Sequence, residues 1–173
     1  MRKLIAILAI FCLVLSFAAC SQPQTTENVG TTPNMGNPGD PNAPYCMYNG
    51  AKIALNGDMQ VIVNALGEPK SYYESASCAF EGMDKTYTYD SIIIDTYPDG
   101  EHDYVYRFWF MDDMVQTTEG IKIGDSSDAV AAAYGAETYN GRSSYIIQKD
   151  KYTITINLEN GVVNHIEYGI VIG

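Results

Sequence analysis

Apolar and polar positions along residues 45–173 switch between two rhythms, one with the period of a helix and one with the period of a strand. In residues 53–69, IALNGDMQVIVNALGEP, the alternating Ile53 and Leu55 give way to Val61, Ile62, Ala65 and Leu66, a spacing that places them on one helical stripe. In residues 121–137, IKIGDSSDAVAAAYGAE, Ile121 and Ile123 precede a similar stripe of Ala129, Val130, Ala133 and Tyr134. A Gly-Asp pair opens each stretch, so Asp58 in the first, and Asp125 or Ser126 in the second, predict side-chain caps for the first-turn N–H groups. Gly67 and Gly135 then predict left-handed stops. Helices of about nine or ten residues are too short to stand alone and need tertiary packing.

The segment after each helix reads as strand. Asp99-Gly100 and Asn160-Gly161 lie between β-branched and aromatic runs, a strong short-range hairpin signal. Asp84-Lys85 and Asp150-Lys151 predict one further turn in each half. The pattern therefore predicts an α+β domain of two tandem units, about 50–120 and 121–173, each a short helix followed by a three- or four-stranded antiparallel meander. Helices on one side only would leave the other sheet face open.

The alternation inside the strands names that face. In DYVYRFWF, Tyr104, Tyr106, Phe108 and Phe110 fall on one side, expected to be the core, and Val105, Arg107 and Trp109 on the other. Tyr152, Ile154, Ile156 and Leu158 form a second core stripe that leaves Thr153, Thr155 and Asn157 opposite. The open face is thus expected to carry Arg107, Trp109, Thr153 and Thr155, together with His165 and Glu167. Arg beside the only Trp is the composition of a binding hot spot, and Tyr97 near the hairpin is a further exposed aromatic candidate. Trp109 covered by the preceding linker or a neighbouring loop is the structural alternative.

The paired I-x-I/L-x-G pattern with its helix and meander resembles the β-lactamase inhibitor protein family. The helix-plus-meander unit is also similar to the small outer-membrane assembly lipoprotein BamE. The first resemblance implies a tandem repeat with a concave sheet that engages a protein partner. Units of that family tend to carry their own Cys pair, and the second unit here has none.

Before the domain the composition changes. Residues 1–19 have Arg2 and Lys3 ahead of an apolar run too short for a convincing membrane span, which predicts a signal peptide. The ending SFAAC resembles a lipobox, which implies that Cys20 carries diacylglycerol and holds the chain at the extracytoplasmic face of the cell membrane. Residues 20–44, rich in Pro, Gly, Asn and Thr, predict a flexible tether. The domain is then 45–173. A net charge of −11 argues against nucleic acid and anionic lipid as partners.

Four Cys include Cys12 in the signal and Cys20 at the lipid site. Cys46 and Cys78 remain, a pair that in an exported domain reads as a disulfide; two separate buried thiols, or metal ligands, are the alternatives. Only two His are present, His102 and His165, and no nucleophile, zinc or phosphate-loop motif accompanies them. Asp99, Glu101 and Asp103 at the hairpin tip, with His102 between them, make a weak cation candidate, since successive strand residues point to opposite sides. The expectation is a non-enzymatic, lipid-anchored envelope protein without cofactor that binds a protein partner through its open sheet face. An assembly accessory of a membrane complex and an envelope hydrolase are the alternatives.

Overall fold

The computed structural model describes residues 35–171, all within the compact unit Thr32–Gly173. A hairpin of β1, Tyr45–Tyr48, and β2, Ala51–Ala54, leads into helix α1, Met59–Leu66. Four strands come next: β3, Ser71–Ala76; β4, Met83–Thr88; β5, Ile92–Asp99; and β6, His102–Phe110. Helix α2, Ser127–Tyr134, precedes β7, Ser144–Lys149, β8, Tyr152–Glu159, and β9, Val162–Ile170. The described residues are α+β, with two α-helices and a seven-stranded antiparallel sheet in the order β3-β4-β5-β6-β9-β8-β7 beside the two-stranded one. The signal peptide expected over 1–19 and the lipid site at Cys20 lie outside the described residues. Among the described residues no helix is long and apolar enough to cross a membrane.

Both helices begin and end on the residues that local chemistry selects. Asp58 Oδ1 accepts the Gln60 N–H at 2.8 Å, and Ser126 Oγ accepts the Ala129 N–H at 3.2 Å. Asp125 is not the cap; its carboxylate takes the Lys122 N–H at 2.9 Å. Gly67 and Gly135 close the helices at φ 80° and 89°, where a side chain would be strained. On α1 the buried stripe is Met59 and Ile62, with Val63 and Leu66 half-buried, the i, i+3, i+4, i+7 set. Val61 and Ala65, expected on that stripe, are exposed.

The expected tandem repeat of one helix–meander unit is not what the chain forms. Ile121 is buried, but residues 121–123 form no strand, so the expected counterpart of β2 is missing. The first half has its own hairpin and four sheet strands; the second has three. The Asn160-Gly161 turn forms as expected, with both residues at positive φ between the paired Glu159 and Val162. Asp150 also turns. Asp84-Lys85 does not: both residues lie inside β4, and the preceding reversal is made by residues 77–82.

A single core joins sheet, helices and hairpin, built on Ile53, Leu55, Met59, Ile94, Phe108, Val130, Ile156 and Tyr168. Residues 35–44, expected as the end of a loose tether, belong to this fold. Met35 and Ala43 are buried, and the Gly39 N–H donates to the Asn56 carbonyl at 2.8 Å. The reason is Asn56 itself, fully buried, whose amide needs partners and takes Met35 O at 2.7 Å.

A candidate binding face on the open side of the sheet

The two meanders meet along one short seam. β6 pairs with β9 only through Arg107 with Gly169, Phe108 with Tyr168, and Trp109 with Glu167. Phe108 and Tyr168 face the core, so Arg107 and Trp109 stand together on the opposite side. Register then carries that side across the sheet. One row runs Thr88, Ile93, Trp109, Glu167, Thr155 and Ile146. The neighbouring row holds Thr86, Asp95, Arg107, Gly169, Thr153 and Gln148. Arg107, Trp109, Thr153 and Thr155 therefore share the face expected of them, joined by Glu167, and His165 lies beyond on β9.

The face is organised before any partner arrives. Arg107 donates from Nη2 and Nε to Asp95 Oδ2 at 2.6 and 3.2 Å, while Thr86 donates to Asp95 Oδ1 at 2.7 Å. Burial works against the guanidinium charge, but the bond to Asp95 and its charge outweigh that and hold the Arg107 pKa above the ordinary value. Its guanidinium carbon lies 5.1 Å from the Trp109 ring centre, a cation–π distance that limits the rotamers of both. His165 and Glu167 approach to 3.6 Å.

Two expectations about β5 and β6 fail because of one bulge. Asp95 pairs with Arg107 and Thr96 with Val105, so Tyr106 has no partner and the alternation slips by one. Val105, expected outside, becomes fully buried. Tyr106 and Tyr104, expected in the core, are only half-buried, while Phe108 and Phe110 remain inside. Tyr97 is not an exposed contact residue. It is 4 % exposed, lies against Phe80 at 5.1 Å between ring centres, and donates its hydroxyl to Asn56 Oδ1 at 2.9 Å. The β3–β4 loop that carries Phe80 covers it, and nothing in the local alternation announces that cover.

Sequence reasoning missed Ile93, Asp95 and Ile146 as members of the face. IIIDTY is apolar on both sides at its start, so only pairing separates Ile93 from the buried Ile92 and Ile94. At the hairpin tip Asp99, Glu101 and Asp103 do not converge. Asp103 accepts from Lys85 Nζ at 2.6 Å, and His102 Nδ1 lies 3.1 Å from Asp58 Oδ2. Among the described residues no group of three His, Cys, Asp or Glu is placed to hold a metal ion.

The expected Cys46–Cys78 disulfide is also corrected. Both thiols are free: Cys46 is buried on β1, and Cys78 is exposed in the loop after β3. Burial pushes the Cys46 thiol up to about 12, which removes its thiolate at neutral pH. In the native full-length chain under non-reducing conditions, iodoacetamide followed by peptide mapping is expected to label Cys78 and to spare Cys46 until the fold is denatured. A disulfide-linked peptide joining the two would contradict this arrangement.

Compared with protein-family models, with curated proteins and with solved structures, the chain matches none.

Proposed function

We propose that the protein is a non-enzymatic binding module, anchored at the cell envelope through lipid on Cys20, that engages a protein partner with the open face of its sheet. The observation that carries this reading is the register row through Ile93, Trp109, Thr155 and Ile146, flanked by the Arg107–Asp95 pair. An aromatic, aliphatic residues and a pre-paired Arg on one sheet face supply the anchor and rim that protein interfaces use. The lipid anchor and the protein-inhibitor-like mode of binding rest on the residues SFAAC and on the helix-plus-meander pattern.

Affinity capture from envelope extract of the source cell tests it, with the full-length chain as bait and a Thr155→Arg/Ile146→Glu chain as control. Both substitutions lie on the open face and leave the Arg107–Asp95 pair intact. A partner retained by the native bait and depleted at least about tenfold on the control is expected for a loss of about 1.4 kcal/mol or more. Equal recovery on both baits, at matched urea midpoints, would move the binding surface elsewhere.

A further inference from the structure

The open face is not flat throughout. Where β4, β5 and β6 meet the β3–β4 loop it sinks into a cleft of about 260 Å³. Tyr73, Phe80 and Tyr106 contribute aromatic walls, and Asp84, Asp95 and Arg107 contribute charge. The bulge leaves Tyr106 without a pairing partner on β5, and both Tyr106 and Arg107 line the cleft.

The charges in the cleft are unequally committed. Arg107 is held by Asp95, and Asp95 has both oxygens occupied, by Arg107 and Thr86. Lys85 also borders the cleft, but its ammonium is bonded to Asp103 at 2.6 Å. The Asp84 carboxylate alone among these groups has no hydrogen bond or ion pair among the described residues. The cleft is therefore left with one uncommitted carboxylate beside π-faces, on a chain of net charge −11. An anion would meet the unpaired charge of Asp84, while the two cations at the cleft, Arg107 and Lys85, are already charge-paired with Asp95 and Asp103. A neutral group would leave the carboxylate's preference for a charged donor unused. A guanidinium or ammonium on an alkyl stem satisfies both, bonding to Asp84 while its stem and charge lie against aromatic rings.

We propose that this cleft is a receptor for a basic side chain, an arginine or lysine presented by the protein partner. The inference rests on the binding-module reading above and identifies what the partner brings to the face. The cleft and the Trp109 row are continuous through Arg107, which borders one and neighbours the other.

The test is an amide-resolved NMR titration of the full-length chain with n-butylguanidinium and n-butylammonium, with n-butylurea as the neutral isostere. Saturable shifts confined to residues 73–86, 95 and 106–107 are expected from the two cations and not from the urea. Asp84→Asn is expected to weaken the cations by about tenfold, the loss of one charge-assisted hydrogen bond. Asp90→Asn, an equal charge change at an exposed site outside the cleft, is expected to leave them unchanged. Equal binding of the urea, shifts scattered over the acidic surface, or indifference to Asp84→Asn would each overturn the proposal. In the capture experiment Asp84→Asn is expected to reduce partner recovery, and full recovery would overturn the assignment of the cleft to the partner. The titration needs no partner, so a failed titration sinks the cleft alone. A failed capture beside a positive titration sinks the protein-partner reading instead.

Discussion

Replacing Asn56 with Ala is expected to lower the unfolding free energy by about 3–5 kcal/mol, a large share of what a domain of this size possesses. Asn56 is fully buried with φ 57°. Its Nδ2 donates to Met35 O at 2.7 Å and to the Tyr152 hydroxyl at 3.2 Å, and its Oδ1 accepts from the Tyr97 hydroxyl at 2.9 Å. Its backbone is engaged as well: its N–H donates to Val105 O at 2.8 Å, and its carbonyl accepts from Gly39 at 2.8 Å. One side chain thus ties the entry segment to β5 and β8. Ala removes all three side-chain bonds, leaves Tyr97 and Met35 with buried unpaired groups, and strains the left-handed backbone. Asn56→Gly removes the same bonds without that strain, so it is expected to recover about 1 kcal/mol relative to Ala. Urea denaturation followed by circular dichroism measures both. A loss below about 1 kcal/mol for Ala would mean that the network contributes little net stability.

Phe108→Ala is expected to cost a further class of stability, about 3–5 kcal/mol, by opening the seam between the meanders. Only three register pairs join β6 to β9, so the seam depends on what its side chains do in the core. Phe108 is fully buried and stacks on Tyr168 at 4.5 Å and 16°, with Phe110 centred 6.5 Å away. Removing the ring leaves a cavity beneath the two central strands. Tyr168→Phe separates ring from hydroxyl at the same place. Among the described residues that hydroxyl is buried without a hydrogen bond of good geometry, while the neighbouring Tyr134 gives its own proton to Glu119 at 2.6 Å. Its removal is expected to leave stability unchanged or raise it by about 1 kcal/mol. Trp109, the only tryptophan and a member of the same seam, reports both transitions by fluorescence. If Phe108→Ala unfolds within about 1 kcal/mol of the native chain, the stack does not hold the halves together.

Local chemistry made much of this protein legible in its residue order. Helix ends at Asp58, Ser126, Gly67 and Gly135 depend on neighbours within one turn. The Asn160-Gly161 hairpin depends on two residues that accept positive φ. Strands of period two place Arg107, Trp109, Thr153 and Thr155 on one face wherever the alternation runs unbroken. For the same reason, the α+β class and the helix-free face needed no long-range information.

Contacts between distant parts of the chain decided the remainder. Nothing near Tyr106 shows that β5 skips it, yet that bulge reverses the sides of Val105 and Tyr106, and Tyr106 lines the cleft with Arg107. Tyr97 is buried by a loop some seventeen residues away at Phe80, and by an amide at Asn56. Cys46 and Cys78 stay apart because one faces the core from β1 and the other sits in an exposed loop. Residues 35–44 have a linker's composition, but Asn56 needs a carbonyl and Met35 supplies it. Periodicity reports which side a residue faces within its own element. Pairing, bulges and loop cover are settled by segments far away in the chain, where the burial of one polar group outweighs the preferences of a whole local stretch.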